Sequence, residues 1–284
     1  MSLFVAAGDG RVLPSAHTRG PWDPRALHGG AAAALITRAF ERAGMDAESG
    51  GTPVIARLGF EFVKPIPFAE LSVPVALTRG GRRVQELSAE LRALTGGGQA
   101  GEGASEEAEL IGRASVLRIQ PVPLGLPDPD GRRKLPGPGR VEAMPGPEQG
   151  EPIKFALDPT ADESFATTGV EMRWLSDPRS LGPARVWMRL AQPIVGDEPA
   201  SALARLVATA DFGNGVSREL DFERYLFINA DLTVHLWRPP RGEWIGLDAK
   251  TVLMDGGIGT AESVVHDLDG PVGRSFQTLV VQPR

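Results

Sequence analysis

The same order of predicted elements occurs twice along the chain. In each half, a helix-forming segment without internal glycine or proline is followed by four segments with the apolar alternation of β-strands. The predicted helices are 31–42 and 200–211; the predicted strands are 54–62, 71–77, 84–94 and 110–119, then 228–237, 244–253, 260–267 and 272–281. A chain that repeats one helix-and-strand unit is predicted to fold as two similar α+β halves.

A segment rich in proline and glycine separates the two halves. Within residues 121–152, 9 of 32 residues are proline and 6 are glycine, a composition that disfavours packed helices and strands. We therefore divide the chain into a first half (1–121), a linker (122–157) and a second half (158–284) that carries the candidate active site. Residues 95–109, with three consecutive glycines and an acidic run, are interpreted as a long hairpin loop.

Composition excludes several classes of function. A net charge of -6 provides no general positive field for a polyanion, so we expect no nucleic-acid partner. The chain has no apolar run of about 18 residues and no basic and apolar leader, so we expect neither a membrane span nor export, and a cytoplasmic location. Without cysteine and with no paired histidine spacing, the sequence predicts no metal site, and nothing in it calls for a cofactor.

Several short motifs occur in the order found in one known family. They are Gly20-Pro21-Trp22, His28-Gly29-Gly30, Asp211-Phe212-Gly213, Asn229-Ala230-Asp231 and Ser275-Phe276-Gln277. In these motifs the chain resembles the thioesterase-like proteins of the double-hotdog type, over nearly its whole length outside the linker. The resemblance implies an α+β double hotdog, in which two antiparallel sheets, each wrapped around a long helix, form one continuous sheet. It also implies an acyl-CoA thioesterase acting on a fatty or related acyl-CoA, in a family whose members often form homodimers or higher homo-oligomers.

The resemblance also implies a set of catalytic residues. In thioesterases of this type, an Asp, a Ser or Thr and a Gln of the second half position the attacking water, and they fall here on Asp231, Thr251 and Gln277. A neighbour of Thr251 is an alternative source of the hydroxyl. Such a set suits thioester hydrolysis, which needs an oriented water, a proton acceptor and donors for the oxyanion. The corresponding first-half residues of Asp231 and Gln277 are Arg57 and Val116, so one site per chain is expected.

The start of the first helix is a second candidate region. In related single-hotdog thioesterases a His-Gly-Gly lets a backbone amide point at the thioester carbonyl, so His28, Gly29 and Gly30 are candidate substrate-binding residues, with Gly30 as the amide donor. The alternative is that the glycines only permit a tight turn and close packing. Asp211, assigned to substrate binding, is also the rival of Asp231, because single-hotdog enzymes often place their carboxylate there. A capping or turn role is its alternative.

Two other functions remain open from the sequence. A hotdog enoyl-CoA hydratase or dehydratase usually has an Asp and a His close together, and the sequence indicates no such neighbouring pair. A noncatalytic acyl-thioester binding protein is the other, since a fold does not determine a chemistry. Acyl chain length depends on what closes the tunnel between helix and sheet, and Trp22, Phe60 and Trp237 each fit either a tunnel plug or ordinary core.

Overall fold

Alternating apolar and polar residues form strands in both halves of the chain. The computed structural model describes residues 1–43, 53–95, 107–122, 141–154 and 163–284. The described strands and α-helix of the first half are β1 (Phe4–Gly8), β2 (Arg11–Pro14), α1 (Gly29–Arg42), β3 (Val54–Phe62), β4 (Leu71–Ser72), β5 (Val75–Arg79), β6 (Val84–Thr95) and β7 (Glu107–Ile119). Those of the second half are β8 (Val170–Trp174), β9 (Ala184–Leu190), α2 (Ala202–Ala210), α3 (Gly213–Val216), β10 (Tyr225–Asn229), β11 (Asp231–Leu236), β12 (Ile245–Met254), β13 (Ile258–Asp267) and β14 (Gly270–Pro283).

The predicted helices and strands are all present, with changes at their ends. Two predicted strands, 71–77 and 228–237, are each divided into two shorter ones. Four short strands were not predicted: β1, β2, β8 and β9, which precede the helix of each half and lie towards the two ends of the sheet. A run of four to seven residues carries too little periodic signal to be recognised from sequence alone.

Within the described residues, the strands form one sheet whose order repeats. The path runs β1-β2-β4-β6-β7-β3 through the first half and continues as β11-β14-β13-β12-β9-β8 through the second. β3 and β11 pair antiparallel at the junction, where the buried side chains of Leu58 and Phe60 lie opposite those of Val234 and Leu232. The predicted double-hotdog fold, with one continuous antiparallel sheet, is confirmed.

Small residues allow the two main helices to pack closely. The four alanines 31–34 of α1 are fully buried. A side chain on Gly30 would collide with the carbonyl oxygen of Ala208 in α2. The start of α1 therefore lies against the end of α2, and the reciprocal contact joins Ser201, at the start of α2, to Glu41 near the end of α1. No helix in the described part of the chain is long and apolar enough to cross a membrane.

The described end of the predicted linker packs against the second half. The indole Nε1 of Trp187 donates a hydrogen bond to the carbonyl oxygen of Pro145 at 2.6 Å. Glu151 and Trp174 exchange two backbone hydrogen bonds of 2.8 and 2.9 Å. Residues 141–154 thus contribute to the second half, while the rest of the linker beyond residue 122, and the turn of the predicted 95–109 loop, lie outside the described residues.

Candidate active site

A one-residue bulge at Ala230 separates β10 from β11. Both strands pair with β14, but in registers that differ by one residue. A bulge reverses the alternation of side chains along a strand. Asn229 consequently pairs with the buried Leu279 on the inner face of the sheet, which the helices cover. Asp231 lies on the opposite face, where its Oδ1 accepts a 2.6 Å hydrogen bond from the backbone N–H of Thr278.

The carboxylate of Asp211 is the buried polar centre between the helices and the sheet. Asp211 is the C-terminal cap of α2 and is only 3% exposed. Its Oδ1 accepts hydrogen bonds from Asn229 Nδ2 at 2.8 Å and from Gln277 Nε2 at 3.3 Å. Its Oδ2 lies 3.0 Å from Nδ1 of His28. Three side chains from three separate elements therefore converge on one carboxylate.

The imidazole of His28 is held in one orientation. His28 caps α1, and its Nδ1 lies 3.0 Å from the backbone nitrogen of Gly30. The ring packs against Phe165 and Phe212, with centroid separations of 5.0 and 4.5 Å. Its other nitrogen, Nε2, has no hydrogen-bond partner among the described residues. The sequence indicated no neighbouring His and Asp; that expectation is wrong, because packing of the two helices brings His28 to Asp211.

The two glycines after His28 make room for this contact. A Cβ on Gly29 would lie 2.8 Å from Oδ2 of Asp211 and 2.9 Å from Cζ of Phe62. Any larger residue would displace the carboxylate from the helix start. Gly30 allows the close approach of α2, as described above, and its N–H already points at the imidazole of His28. Both glycines therefore permit close packing, which is the alternative role predicted for them from the sequence.

A cleft of about 430 Å³ opens beside the His28–Asp211 pair. Its polar end includes His28, Gly29, Asp211 and Asn229, and its apolar wall includes Trp22. It is bounded by the segment before α1, the end of β3, the end of α2 and β10. The cleft combines an apolar wall with a few convergent polar groups, which is the usual composition of a small-molecule site.

The three aromatic residues considered as tunnel plugs have different places. Trp22 lines the cleft and contacts Phe222 and Phe227, with ring centroids 5.5 and 4.9 Å apart. Phe60 is part of the buried core, whereas Trp237 is 46% exposed. Trp22 is therefore the one of the three that borders the space available to a ligand.

The structure does not bring the catalytic set implied by the resemblance together. None of Asp231, Thr251 and Gln277 is among the described residues that line the cleft. Asp231 and Gln277 lie on opposite faces of the sheet, and Gln277 binds Asp211 instead. Thr251 and Gln277 share the inner face, in one row with Ala261 between them.

Thr251 and Gln277 both support the turn after α2. The Oγ1 of Thr251 is 2.8 Å from Oγ of Ser217, which donates to the carbonyl oxygen of Gly213. Gln277 Oε1 accepts from the backbone N–H of Asn214 at 3.0 Å, while its Nε2 donates to the carbonyl oxygen of Asp211 at 3.0 Å. Both side chains thus fix α3 and the end of α2, and through them the position of Asp211.

Sequence reasoning missed Asn229, Phe165 and Phe212 as parts of the site. Strict alternation along the predicted strand 228–237 would place Asn229 on the same face as Asp231, and only the bulge separates them. The signal in the sequence is a small residue, Ala230, between two polar ones. The two phenylalanines carried no signal, because a buried aromatic residue is ordinary core until its neighbours are known.

Two family models match the sequence. The one described as the acyl-CoA thioesterase N-terminal domain matches residues 18–117, and the one described as the acyl-CoA thioesterase C-terminal domain matches residues 138–281. The two matches occur in chain order, and each covers the strands of one half of the sheet. No protein of curated function matches the sequence significantly.

Solved structures with the same fold cover almost the whole chain. A hotdog-fold protein of unknown function from Alicyclobacillus acidocaldarius is 15% identical, with 98% of this chain and 95% of that chain covered and a TM-score of 0.66. A candidate thioesterase from Novosphingobium aromaticivorans is 19% identical, with coverages of 99% and 98% and a TM-score of 0.65. The acyl-CoA thioesterase II TesB2 from Mycobacterium marinum is 14% identical, with coverages of 99% and 96% and a TM-score of 0.62. At these identities the likeness establishes a shared fold.

Proposed function

The chain belongs to the acyl-CoA thioesterase family of double-hotdog proteins, and from this we propose that it hydrolyses an acyl-CoA thioester in the cleft at the start of α1. In this proposal the acyl chain lies along the apolar wall at Trp22. The thioester carbonyl lies at the polar end, beside Asp211 and the first turn of α1. Acyl-CoA is thus the proposed partner; self-association and a cytoplasmic location stay predictions.

The observation that carries the proposal is the placement of Asp211. This buried carboxylate lies beside the start of α1 and borders an apolar cleft, with two side-chain amides donating to Oδ1 and the imidazole of His28 3.0 Å from Oδ2. Burying a carboxylate is costly, so a structural core alone does not account for it. The first N–H groups of a helix lack intrahelical partners and favour negative charge. Because Gly29 lines the cleft while the N–H of Gly30 points at His28, Gly29 is the donor we assign to the developing oxyanion.

Replacing each of the two rival carboxylates tests the proposal. Asp211→Asn keeps the size of the side chain and is expected to reduce kcat for acyl-CoA hydrolysis by roughly 10² to 10⁴. Asp231→Asn is the matched control, since Asp231 lies on the other face of the sheet and binds a strand N–H. It is expected to keep near-parent turnover. Thiol release over a panel of acyl chain lengths measures both variants.

The opposite pattern would reject this assignment. If Asp231→Asn is inactive and Asp211→Asn turns over at the parent rate, Asp231 is the catalytic carboxylate, as the resemblance implies. If the parent protein releases no thiol from any acyl-CoA in the panel, the hydrolytic function itself fails. Gln277→Ala is expected to lower turnover less than Asp211→Asn, because Gln277 acts by holding Asp211.

The contact between His28 and Asp211 favours a second candidate function. An imidazole and a carboxylate 3.0 Å apart at the polar end of a cleft can move two protons, as hydration of an enoyl-CoA requires. Water adds its hydroxyl to the β-carbon while a proton is delivered to the α-carbon. Loss of enoyl absorbance without thiol release would support this function, whereas thiol release from saturated acyl-CoA supports hydrolysis.

A further inference from the structure

We propose that the open edge of β10 binds the pantetheine arm of the acyl-CoA, with the main-chain N–H and C=O groups of Asn229 pairing with its two amides. The inference rests on the proposed hydrolysis and adds a subsite for the part of CoA that lies nearest the thioester. Recognition is by main-chain hydrogen bonds, as when an extended peptide adds to the edge of a sheet.

The edge of β10 is open because β3 turns away from it. On one side β10 pairs with β14, its only strand partner among the described residues. On the other side the last contact from β3 is the hydrogen bond from the N–H of Phe62 to the carbonyl oxygen of Ala230, at 2.9 Å. The next two N–H groups, of Val63 and Lys64, donate instead to the carbonyl oxygen of Ile111 in β7. The sheet therefore has a gap beside β10.

The alternation of main-chain groups turns those of Asn229 towards this gap. In an antiparallel pair, hydrogen-bonded and non-hydrogen-bonded residue pairs alternate along the strands. Ile228 pairs with Val280, and the next residue of β14, Val281, donates its N–H to the carbonyl oxygen of Gly257 on the far side of that strand. Ile228 and Val280 thus form the hydrogen-bonded pair. The N–H and C=O of Asn229 face away from β14, and neither has a hydrogen-bond partner among the described residues.

The other residues of β10 with this orientation are already engaged. The N–H of Tyr225 donates to the carbonyl oxygen of Asp221 at 3.0 Å. The carbonyl oxygen of Phe227 accepts a hydrogen bond from Nδ2 of Asn214 at 3.0 Å. Neither Tyr225 nor Phe227 is among the described residues that line the cleft, whereas Asn229 is. Asn229 is therefore the one position of this edge that offers a donor and an acceptor to a ligand in the cleft.

This position lies next to the proposed reaction centre. The side-chain amide of Asn229 donates to Oδ1 of Asp211 at 2.8 Å, so the main chain of the same residue is within one side-chain length of the carboxylate. The adjoining Ile228 and Ala230 also line the cleft. Main-chain polar groups that are removed from bulk water need hydrogen-bond partners. A ligand whose thioester lies beside Asp211 can supply them from the atoms that follow its sulfur.

Pantetheine has the groups that this edge requires. Two methylene groups join the thioester sulfur to a first amide, and two more join that amide to a second. The carbonyl of the first amide and the N–H of the second flank a unit that is an amino-acid residue with one extra methylene. In an extended conformation, this unit can accept from the N–H of Asn229 and donate to its C=O, as a residue of an added strand does.

Hydrogen exchange at the amide of Asn229 tests the inference in the parent protein. S-hexylpantetheine, a thioether that cannot be hydrolysed, is the ligand, and 2-(hexylthio)ethanol, which has no amide, is its matched control. At saturation, S-hexylpantetheine is expected to slow exchange of the Asn229 N–H by roughly tenfold or more, and the control ligand to leave it unchanged. The N–H of Leu77 is the control amide, since β5 pairs with β6 alone and lies outside the cleft.

Two substitutions of Asn229 separate its main chain from its side chain. Asn229→Ala and Asn229→Pro both lose the side chain that binds Asp211, but only proline also lacks the N–H. Proline is tolerated on an edge strand where its missing N–H faces outwards. Affinity for S-hexylpantetheine is expected to be about threefold to tenfold lower in Asn229→Pro than in Asn229→Ala, the usual effect of one hydrogen bond. Affinity for 2-(hexylthio)ethanol should be equal in the two variants.

The two levels of the proposal fail in different ways. If S-hexylpantetheine binds without slowing exchange at Asn229, the inference is overturned, and thiol release from acyl-CoA by the parent protein leaves the proposed hydrolysis intact. Equal affinity of the alanine and proline variants for S-hexylpantetheine would also overturn it. Should Asn229→Pro not fold, the exchange measurement decides alone. Absence of thiol release from any acyl-CoA would instead reject the proposed function on which the inference rests.

Discussion

The two main helices begin in equivalent places of the two halves, yet their first turns have different surroundings. At the start of α1, the cap residue His28 contacts the buried Asp211 at the end of α2. At the start of α2, the cap residue Ser201 contacts Glu41, which is exposed to solvent. Both helix starts thus place a carboxylate beside helix N–H groups, but only one of them is buried and paired with an imidazole.

The difference between the two helix starts explains why a fold with two similar halves has its candidate site at only one of them. Because the helices run antiparallel, each helix start is completed by the end of the other helix, and a site at either place draws on both halves of the chain. The second start instead holds surface ion pairs, in which Glu198 bonds to Arg38 at 2.7 Å and to Arg42 at 2.8 Å. One half cannot form the His28–Asp211 pair without the other.

Among the substitutions that test this comparison of the two helix starts, Gly30→Ala is expected to have the largest effect. Gly30→Ala places a methyl group against the carbonyl oxygen of Ala208, so α1 and α2 must separate. We expect a loss of about 1 to 3 kcal/mol in the free energy of unfolding, the usual cost of overpacking, together with lower turnover. Thermal unfolding and thiol release measure the two effects.

Gly215→Ala is the matched control for Gly30→Ala. Gly215 lies in α3, has no atom within 4 Å of an added Cβ, and does not need a positive φ. Alanine there is expected to leave stability unchanged or raise it by up to about 1 kcal/mol. A similar loss of stability in both variants would show that glycine is needed for backbone conformation, and not for helix contact.

Ser201→Ala tests the other helix start. The Oγ of Ser201 accepts the N–H of Ala204 at 3.0 Å, and losing this cap is expected to cost about 0.5 to 2 kcal/mol of stability. Turnover per folded molecule should stay at the parent value, since this helix start carries no buried carboxylate and imidazole. A loss of kcat of tenfold or more without unfolding would mean that both helix starts serve the reaction.

The smallest expected effect concerns Glu198. The hydrogen bond from Arg38 lowers the pKa of Glu198, against the opposing effect of burial. A carboxyl whose pKa is lowered on folding stabilises the protein above its unfolded pKa, and this contribution is lost as pH falls through the folded pKa. Since the side chain is 45% exposed, Glu198→Gln is expected to cost about 0.2 to 1 kcal/mol at neutral pH.

Salt and acid should both remove the difference between Glu198→Gln and the parent protein. Unfolding midpoints measured at neutral pH, in acid and in high salt check this. A difference that persists in acid would point to packing rather than charge as the contribution of Glu198.

The sequence alone determined the repeated α+β organisation and the positions of most helices and strands. Apolar alternation identified all but the four short strands. Successive side chains of a strand point to opposite faces of the sheet, so a strand with one buried face has alternating apolar residues. Motif order identified the family, and the rival carboxylates Asp211 and Asp231 were both visible. Within β11, regular alternation places Asp231, Thr233 and His235 on the face opposite to the buried Leu232 and Val234.

The tertiary structure decided which of the two carboxylates lines the cleft. The bulge at Ala230 reverses the side-chain alternation and turns Asn229, not Asp231, towards Asp211. His28 and Asp211 are far apart in sequence and meet only because the helices pack antiparallel at Gly30. Local spacing encodes helices and strands through interactions within a few residues. A site built from two helix ends and a strand irregularity depends on contacts between distant residues, which local spacing does not encode.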